Sequence, residues 1–363
     1  MKKAKLIMSS MSLLLSGLAG VEACTGISFH ATDGSFVVAR TIEWAGGTLK
    51  SEYTVVPRGE ELTSFTPTGR NGMTFKAKYG YIGMSVVEPG FVAEGLNEAG
   101  LSAGLFYFPH YGSYESYNAT HNASTIADLQ LVQWILSQFS TIDEVIAALP
   151  SVHVVSLDPS TLTIHWRIAE PSGRQIVLEI IDGKYNIHEN KIGVLTNSPD
   201  FTWHVTNLNN YVNLYPGVAK SQKWNGVELS SFSAGSAFHG IPGDVTSPSR
   251  FVRAAFFTAT APQRKTAFDT VLQCFHILNN FDVPIGVEHA LGEAPQDMPS
   301  ATQWTVVSDI TNRRIYYRTA YNSNIRCIDL RAIDFARVKS IVHPLDKEQK
   351  QPIEMIEVMK GER

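Results

Sequence analysis

The sequence predicts an α+β fold, with two sheets of antiparallel-style strands and two helix layers, in one domain. Three observations carry the expectation. Short β-like stretches follow one another through turn signals such as Asp33-Gly34 and Asn97-Glu98-Ala99-Gly100, the pattern of hairpins. Helical periodicity is confined to blocks, at 124–150, 200–212 and 248–281. The strict strand–helix–strand alternation of a doubly wound parallel sheet is missing. No Pro/Gly-rich linker, repeat or low-complexity tract interrupts residues 24–363, so a single domain is expected there.

The elements follow in order. Residues 1–23 read as a leader: Lys2, Lys3 and Lys5 form a positive start, Leu6 to Leu18 is apolar and uncharged, and Val21-Glu22-Ala23 precedes a cut between Ala23 and Cys24. Export to the periplasm or beyond the cell is therefore expected. Cys24–His30 and Ser35–Thr41 are strands about the Asp33-Gly34 turn, followed by strands at Tyr53–Pro57, Met73–Tyr79 and Gly83–Val87 and a hairpin within Gly90–Phe108. Ile126, Leu129, Val132, Ile135, Leu136 and Phe139 recur at near-helical spacing, predicting a helix over Ser124–Phe139. Thr141 with Glu144 is a capping box opening a second helix, which Pro150 ends. Four strands are predicted at Val152–Leu157, Thr163–Glu170, Gln175–Asp182 and Gly193–Thr196. Helical character follows at Asp200–Val212, Pro248–Thr260 and Lys265–Phe281. Strands return at Thr302–Ile310, Arg313–Arg318 and Ile325–Leu330, and a charged tail from about residue 346 closes the chain with a short helix.

Composition excludes several classes. The 363 residues are 44% hydrophobic, enough for a sizeable core, and only 18% charged with a formal net charge of −4. With no Lys/Arg run, a nucleic-acid partner is not expected. No apolar stretch reaches the roughly eighteen residues of a membrane span. The eleven histidines show no metal-ligand spacing, and no nucleotide-binding glycine motif or Gly-x-Ser-x-Gly elbow occurs. A zinc site, a nucleotide site and an α/β-hydrolase nucleophile are therefore not expected.

Of the three cysteines, Cys274 lies in an apolar helical run and Cys327 in a strand. A bond between those two would leave Cys24 as the odd thiol. The leader's removal gives Cys24 its chemistry. A free N-terminal cysteine carries a thiol and, on the same residue, an α-amine with a pKa near 8 that can take the thiol proton directly or through water. That pairing suits acyl transfer from an amide. Arg40, sixteen residues on, can return across the hairpin to favour the thiolate. Glu43 is a candidate anchor for the protonated amine, or a solvated turn carboxylate. Trp44 is a candidate pocket wall or core residue. Asn197, in Thr196-Asn197-Ser198-Pro199, can aim its side-chain N–H at an oxyanion or simply form an Asx turn. Arg250 opens a helix and can meet a substrate or a carboxylate. The alternative of another class is a binding protein anchored by a lipid on Cys24, although Glu22 fits poorly with a lipoprotein signal.

Five ordered segments carry a resemblance. Cys24-Thr-Gly-Ile-Ser-Phe, Ala39-Arg40-Thr41-Ile42-Glu43-Trp44, Gly95 to Leu101, Gly193-Val-Leu-Thr-Asn197-Ser-Pro199 and Ile241 to Phe251 resemble the choloylglycine hydrolases, the bile salt hydrolases and penicillin V acylases. The resemblance runs from Cys24 to about Leu330. It implies the four-layer αββα sandwich of N-terminal nucleophile hydrolases, a homotetramer and no cofactor. It implies Cys24 as nucleophile, Arg40 as the charge beside it, Asn197 as an oxyanion donor and Arg250 as a support of the cysteine. Glu43 stands where the family has aspartate, one methylene longer. Tyr107, in Leu105-Phe-Tyr107-Phe-Pro109, falls at the second oxyanion position, where bile salt hydrolases often carry asparagine and penicillin acylases tyrosine. The implied substrate is an amide with a bulky apolar acyl group, foremost a glycine or taurine conjugate of a bile acid. Penicillin V or an acyl-homoserine lactone is the alternative.

Overall fold

The computed structural model describes residues 23–44, 49–157, 163–289, 292 and 301–358; of the expected leader, residues 1–23, the first 22 lie outside them. Two antiparallel sheets form the centre. The six-stranded sheet runs in the order β14 (Val194–Leu195), β1 (Cys24–His30), β2 (Phe36–Trp44), β17 (Ala301–Asp309), β18 (Arg314–Thr319) and β19 (Asn322–Asp329). The eight-stranded sheet runs in the order β13 (Lys184–Glu189), β12 (Gln175–Ile181), β11 (Ile164–Ala169), β8 (Ser102–Tyr107), β7 (Val92–Asn97), β6 (Tyr81–Val86), β3 (Ser51–Val56) and β20 (Ile341–Pro344). Three two-stranded ribbons complete the strands: β4 (Glu61–Thr63) with β5 (Thr74–Lys76), β9 (Thr125–Ala127) with β10 (His153–Val155), and β15 (Gln222–Trp224) with β16 (Val227–Leu229).

Among the described residues the α-helices are α1 (Leu131–Gln138), α2 (Ile142–Ala148), α3 (Phe201–Asn207), α4 (Ser247–Thr260) and α5 (Ala267–Leu278). Helix α1 packs on β6, β7 and β8, whereas α4 and α5 pack on the six-stranded sheet through β1, β2, β14 and β17. The result is the expected αββα layering. The sheets meet through Phe106 of β8, whose ring lies against Gly26 of β1; a Cβ at position 26 would come within 2.8 Å of it. Only the absence of a side chain there permits this approach.

Turn chemistry explains the hairpins. Gly34 takes φ +88° between β1 and β2, and Asp33 Oδ1 accepts from the Ser35 N–H at 2.9 Å. Between β7 and β8, Asn97 Oδ1 accepts from Ala99 and Leu101 N–H, while its Nδ2 donates to the Leu136 and Phe139 carbonyls at the end of α1. One asparagine thus closes the hairpin and docks it to the helix layer. The capping box forms as read, with Thr141 Oγ1 accepting from Glu144 N–H and Glu144 reaching back to Thr141 N–H.

Four expectations change. The helix predicted from Ser124 begins at Leu131, because Thr125–Ala127 pairs in parallel with β10, Ile126 opposite Val154. A short apolar run fits either period, and the pairing decides it. Strand β13 was not predicted, since its polar Lys-Tyr-Asn-Ile-His-Glu belongs to a sheet edge with one partner. Cys274 and Cys327 do not pair: Cys274 is buried on α5, and Cys327 is exposed on β19. Residues 346–358 of the tail contain no helix.

Candidate active site

Cys24 is the first residue of β1, held between β14 and β2, and is 4% exposed. The register sets Gly26 opposite Arg40, so the hairpin returns the guanidinium to the thiol. Arg40 Nη2 donates to Cys24 Sγ at 2.7 Å. Its Nη1 crosses to the other sheet, donating to the carbonyls of Ala93 (2.9 Å) and Leu105 (2.5 Å), and its Nε donates to the Thr41 carbonyl. The Phe106 ring covers its face at 4.2 Å. A buried cation fixed this firmly beside sulfur favours the thiolate.

Asn197 follows β14 and joins four elements. Its Oδ1 accepts from Cys24 N–H (2.9 Å) and from Arg250 Nη2 (2.7 Å), and its Nδ2 donates to the Tyr107 carbonyl on β8 (2.8 Å). Its own N–H donates to Ser247 Oγ of α4, and its carbonyl accepts from His204 Nε2 of α3 at 2.8 Å. Burial pushes His204 down to about 4, so the ring is neutral, and it stacks on Phe251. Arg250, in the first turn of α4, donates through Nη1 to the Cys24 carbonyl (2.5 Å) and Thr25 Oγ1 (2.9 Å), and through Nε to the Val245 carbonyl.

Cys24, Arg40, Asn197 and Arg250 thus form one hydrogen-bonded cluster. Glu43 is buried near the end of β2, so it is not the solvated turn carboxylate that was one of its two expected readings. Its backbone N–H donates to the Ala23 carbonyl at 2.9 Å, while its buried carboxyl receives Thr302 Oγ1 at Oε1 (3.0 Å). Burial raises this carboxyl to about 8, against the pull of Arg250. Tyr107 ends β8 and contributes its carbonyl to Asn197. Trp44 ends β2 and packs, half-buried, against the core.

Sequence reasoning missed several participants. The Ala93 and Leu105 carbonyls have no sequence signature, being backbone. Ser247 sits at a variable position of the Ile241–Phe251 segment and His204 carries no motif, although Asp200 caps the helix that holds His204. Also beside the Phe106 ring, the buried pair Arg167–Glu94 (2.7 Å) ties the sheets, Arg167 Nη1 donating to the Ala39 carbonyl. Among the described residues no cluster of three or more His, Cys, Asp or Glu is arranged to hold a metal ion, and no helix is long and apolar enough to cross a membrane.

Comparison with known proteins identifies the family. Residues 24–343 match the linear amide C–N hydrolases, choloylglycine hydrolase family. A bile salt hydrolase/transferase of Clostridium perfringens is 32% identical over 85% of this chain and 92% of its own length. A penicillin V acylase of Pectobacterium atrosepticum is 27% identical over 92% of this chain and 89% of its own. The crystal structure of a conjugated bile acid hydrolase from Clostridium perfringens superposes with a TM-score of 0.80 at 27% identity, covering 92% of this chain and all of that one. With nearly the whole chain from Cys24 onward matched and the thiol–guanidinium pair in place, this protein belongs to the choloylglycine hydrolase family and is a linear amide C–N hydrolase.

Proposed function

We propose that the protein hydrolyses the amide bond of glycine- and taurine-conjugated bile salts, using Cys24 as an N-terminal nucleophile freed when residues 1–23 are removed on export. The observation that carries this reading is the Arg40 Nη2–Cys24 Sγ contact at 2.7 Å, at the head of a strand whose backbone nitrogen is held by Asn197. Once that nitrogen is a free amine, it takes the thiol proton, and the thiolate attacks the acyl carbon. The tetrahedral oxyanion is met by Asn197 Nδ2, whose second hydrogen is available beside the one given to Tyr107, and by an N–H near Tyr107. Collapse breaks the C–N bond, the amine's proton passes to the departing glycine or taurine nitrogen, and water then cleaves the thioester. Glu43 and Arg250 position the cysteine, and Trp44 and Tyr107 border the acyl site.

Support for the bile salt comes from a bile salt hydrolase/transferase in each of Clostridium perfringens and Bifidobacterium longum and a conjugated bile acid hydrolase of Lactobacillus acidophilus, at 31–32% identity. Tyr107 and the Pectobacterium relative favour penicillin V as the second reading. The substrate test is turnover by the purified protein. Glycocholate or taurocholate is expected to be cleaved faster than penicillin V or an acyl-homoserine lactone, and the reverse order overturns the assignment. Intact mass of the exported protein should show an unmodified Cys24 at the start; a lipid adduct would mean an anchored binding protein instead. A homotetramer belongs to the same reading. Val212, Val218, Trp224, Val227 and Phe232 stand exposed on and around the β15–β16 ribbon, apolar surface of the kind that a subunit interface covers. A monomer in sedimentation would reject it.

A further inference from the structure

We infer that His165 and Glu179 are positioning residues of the reaction, fixing the backbone that aims Asn197 at the oxyanion; this rests on the reading of Asn197 as an oxyanion donor. The two peptide planes flanking an α-carbon set its φ and ψ, and both planes at Asn197 are gripped. Ahead of it, the Thr196 carbonyl accepts from His165 Nε2 at 3.1 Å, and the Asn197 N–H donates to Ser247 Oγ at 2.9 Å. Behind it, the Asn197 carbonyl accepts from His204 Nε2 at 2.8 Å. Glu179 joins the two ends of this loop. Its Oε1 meets His165 Nδ1 at 3.1 Å and accepts from the Phe201 N–H at 2.9 Å, where α3 begins.

The sheet builds this arrangement. Strands β11 and β12 pair Trp166 with Leu178, which sets His165 beside Glu179, and neither side chain has exposed surface. The His165 ring stacks on Phe108 (4.4 Å, 6°), next in sequence to Tyr107, whose carbonyl takes Asn197 Nδ2. Held flat in this way, the ring turns both nitrogens toward oxygens. A carbonyl can only accept, so Nε2 carries a hydrogen toward Thr196, and Nδ1 carries another toward the carboxylate. Burial opposes the charge on Glu179, and His165, His188 and the Phe201 N–H outweigh it, holding the carboxyl at about 2. His188 Nε2 on β13 stands 3.5 Å from Oε2, half-buried, and the neutral His204 completes the ionisable groups around the pair.

An imidazolium against a carboxylate satisfies all three contacts, and a glutamine at 179 cannot. As an acceptor toward Phe201 and Nδ1–H of a neutral ring, it leaves Nε2 bare against the Thr196 carbonyl. Turned over to donate to Nδ1, it sets its own N–H against that of Phe201. A ring that stays charged is then a buried cation without its carboxylate, which is costly. One end of the loop is released in each case, and the Asn197 donor moves off the oxyanion. The sulfur is served from elsewhere, by Arg40.

The test compares processed wild type with Glu179→Gln, N-termini verified by mass and rates expressed per alkylatable Cys24. On an amide that wild type cleaves, Glu179→Gln should lose about tenfold in kcat, with KM changed by less than about twofold. Alkylation of Cys24 by iodoacetamide needs a thiolate but no oxyanion donor, so its rate should stay within about twofold of wild type. A wild-type kcat overturns the inference, and so does a parallel loss of kcat and alkylation, which marks a general loosening of the site. The second measurement is the ring state of His165 in wild type at about pH 7, by NMR of nitrogen-labelled histidine, the ring being identified by its proximity to the Phe201 N–H. Hydrogens on both ring nitrogens support the inference, and a hydrogen on one alone overturns it. If Glu179→Gln does not fold, this spectrum decides. Wild type that cleaves no amide would reject the proposed function, and the spectrum would again decide the state of the pair.

Discussion

Cys24 and Arg40 are neighbours because a tight hairpin pairs Gly26 with Arg40, and the guanidinium is then locked by carbonyls of the opposite sheet. The chemistry at this scale depends on one sulfur. Cys24→Ala should reduce hydrolysis by about a thousandfold or more in a steady-state assay. Cys24→Ser should leave little, because a serine hydroxyl holds its proton too tightly for Arg40 to stabilise the anion. Full activity in Cys24→Ala would place the reaction elsewhere. Cys24, Arg40, Asn197 and Arg250 were legible in the sequence, as residues whose types and order match a motif set. The Ala93 and Leu105 carbonyls were not, because any residue supplies a carbonyl and only the fold aims it.

Strands were more legible than helix starts. The β1–β2 and β7–β8 hairpins announce themselves through Asp33-Gly34 and Asn97 to Gly100, whose side chains and φ angles fix the turns. The start of α1 did not, since Ile126 and Leu129 fit a helical period while the Ile126–Val154 pairing makes the first a strand residue. The contact between β1 and β8 gives this scale its prediction. Gly26→Ala would set a methyl 2.8 Å from the Phe106 ring and 3.3 Å from Arg167 Nη1, both buried. The ring must shift, and it is the ring that covers Arg40. A destabilisation of about 1–3 kcal/mol is expected in urea unfolding, together with loss of hydrolysis. An unchanged midpoint with full activity would show that the sheets tolerate a wider spacing.

At the scale of the molecule, buried carboxyls govern the response to pH. Glu43 is raised to about 8, and Glu288 and Asp128 to about 7, all by burial. Each binds its proton more tightly folded than unfolded, so stability falls as pH rises from the ordinary carboxyl range through those values. His204, lowered to about 4, works in the opposite sense, but only between about 4 and its ordinary 6.5. Above pH 6.5 the carboxyls act alone. The melting temperature should drop between about pH 6.5 and 8.5. A flat or rising melting curve across that window would contradict these assignments. The strand order carries one more consequence, for folding. Cys24 stands near the start of the chain, yet its partners arrive 16, 173 and 226 residues later in Arg40, Asn197 and Arg250. Closing loops of that length is slow compared with forming a hairpin. The thiol and its first arginine therefore meet early, and a nascent or truncated chain ending before residue 197 holds a reactive sulfur without the groups that orient it.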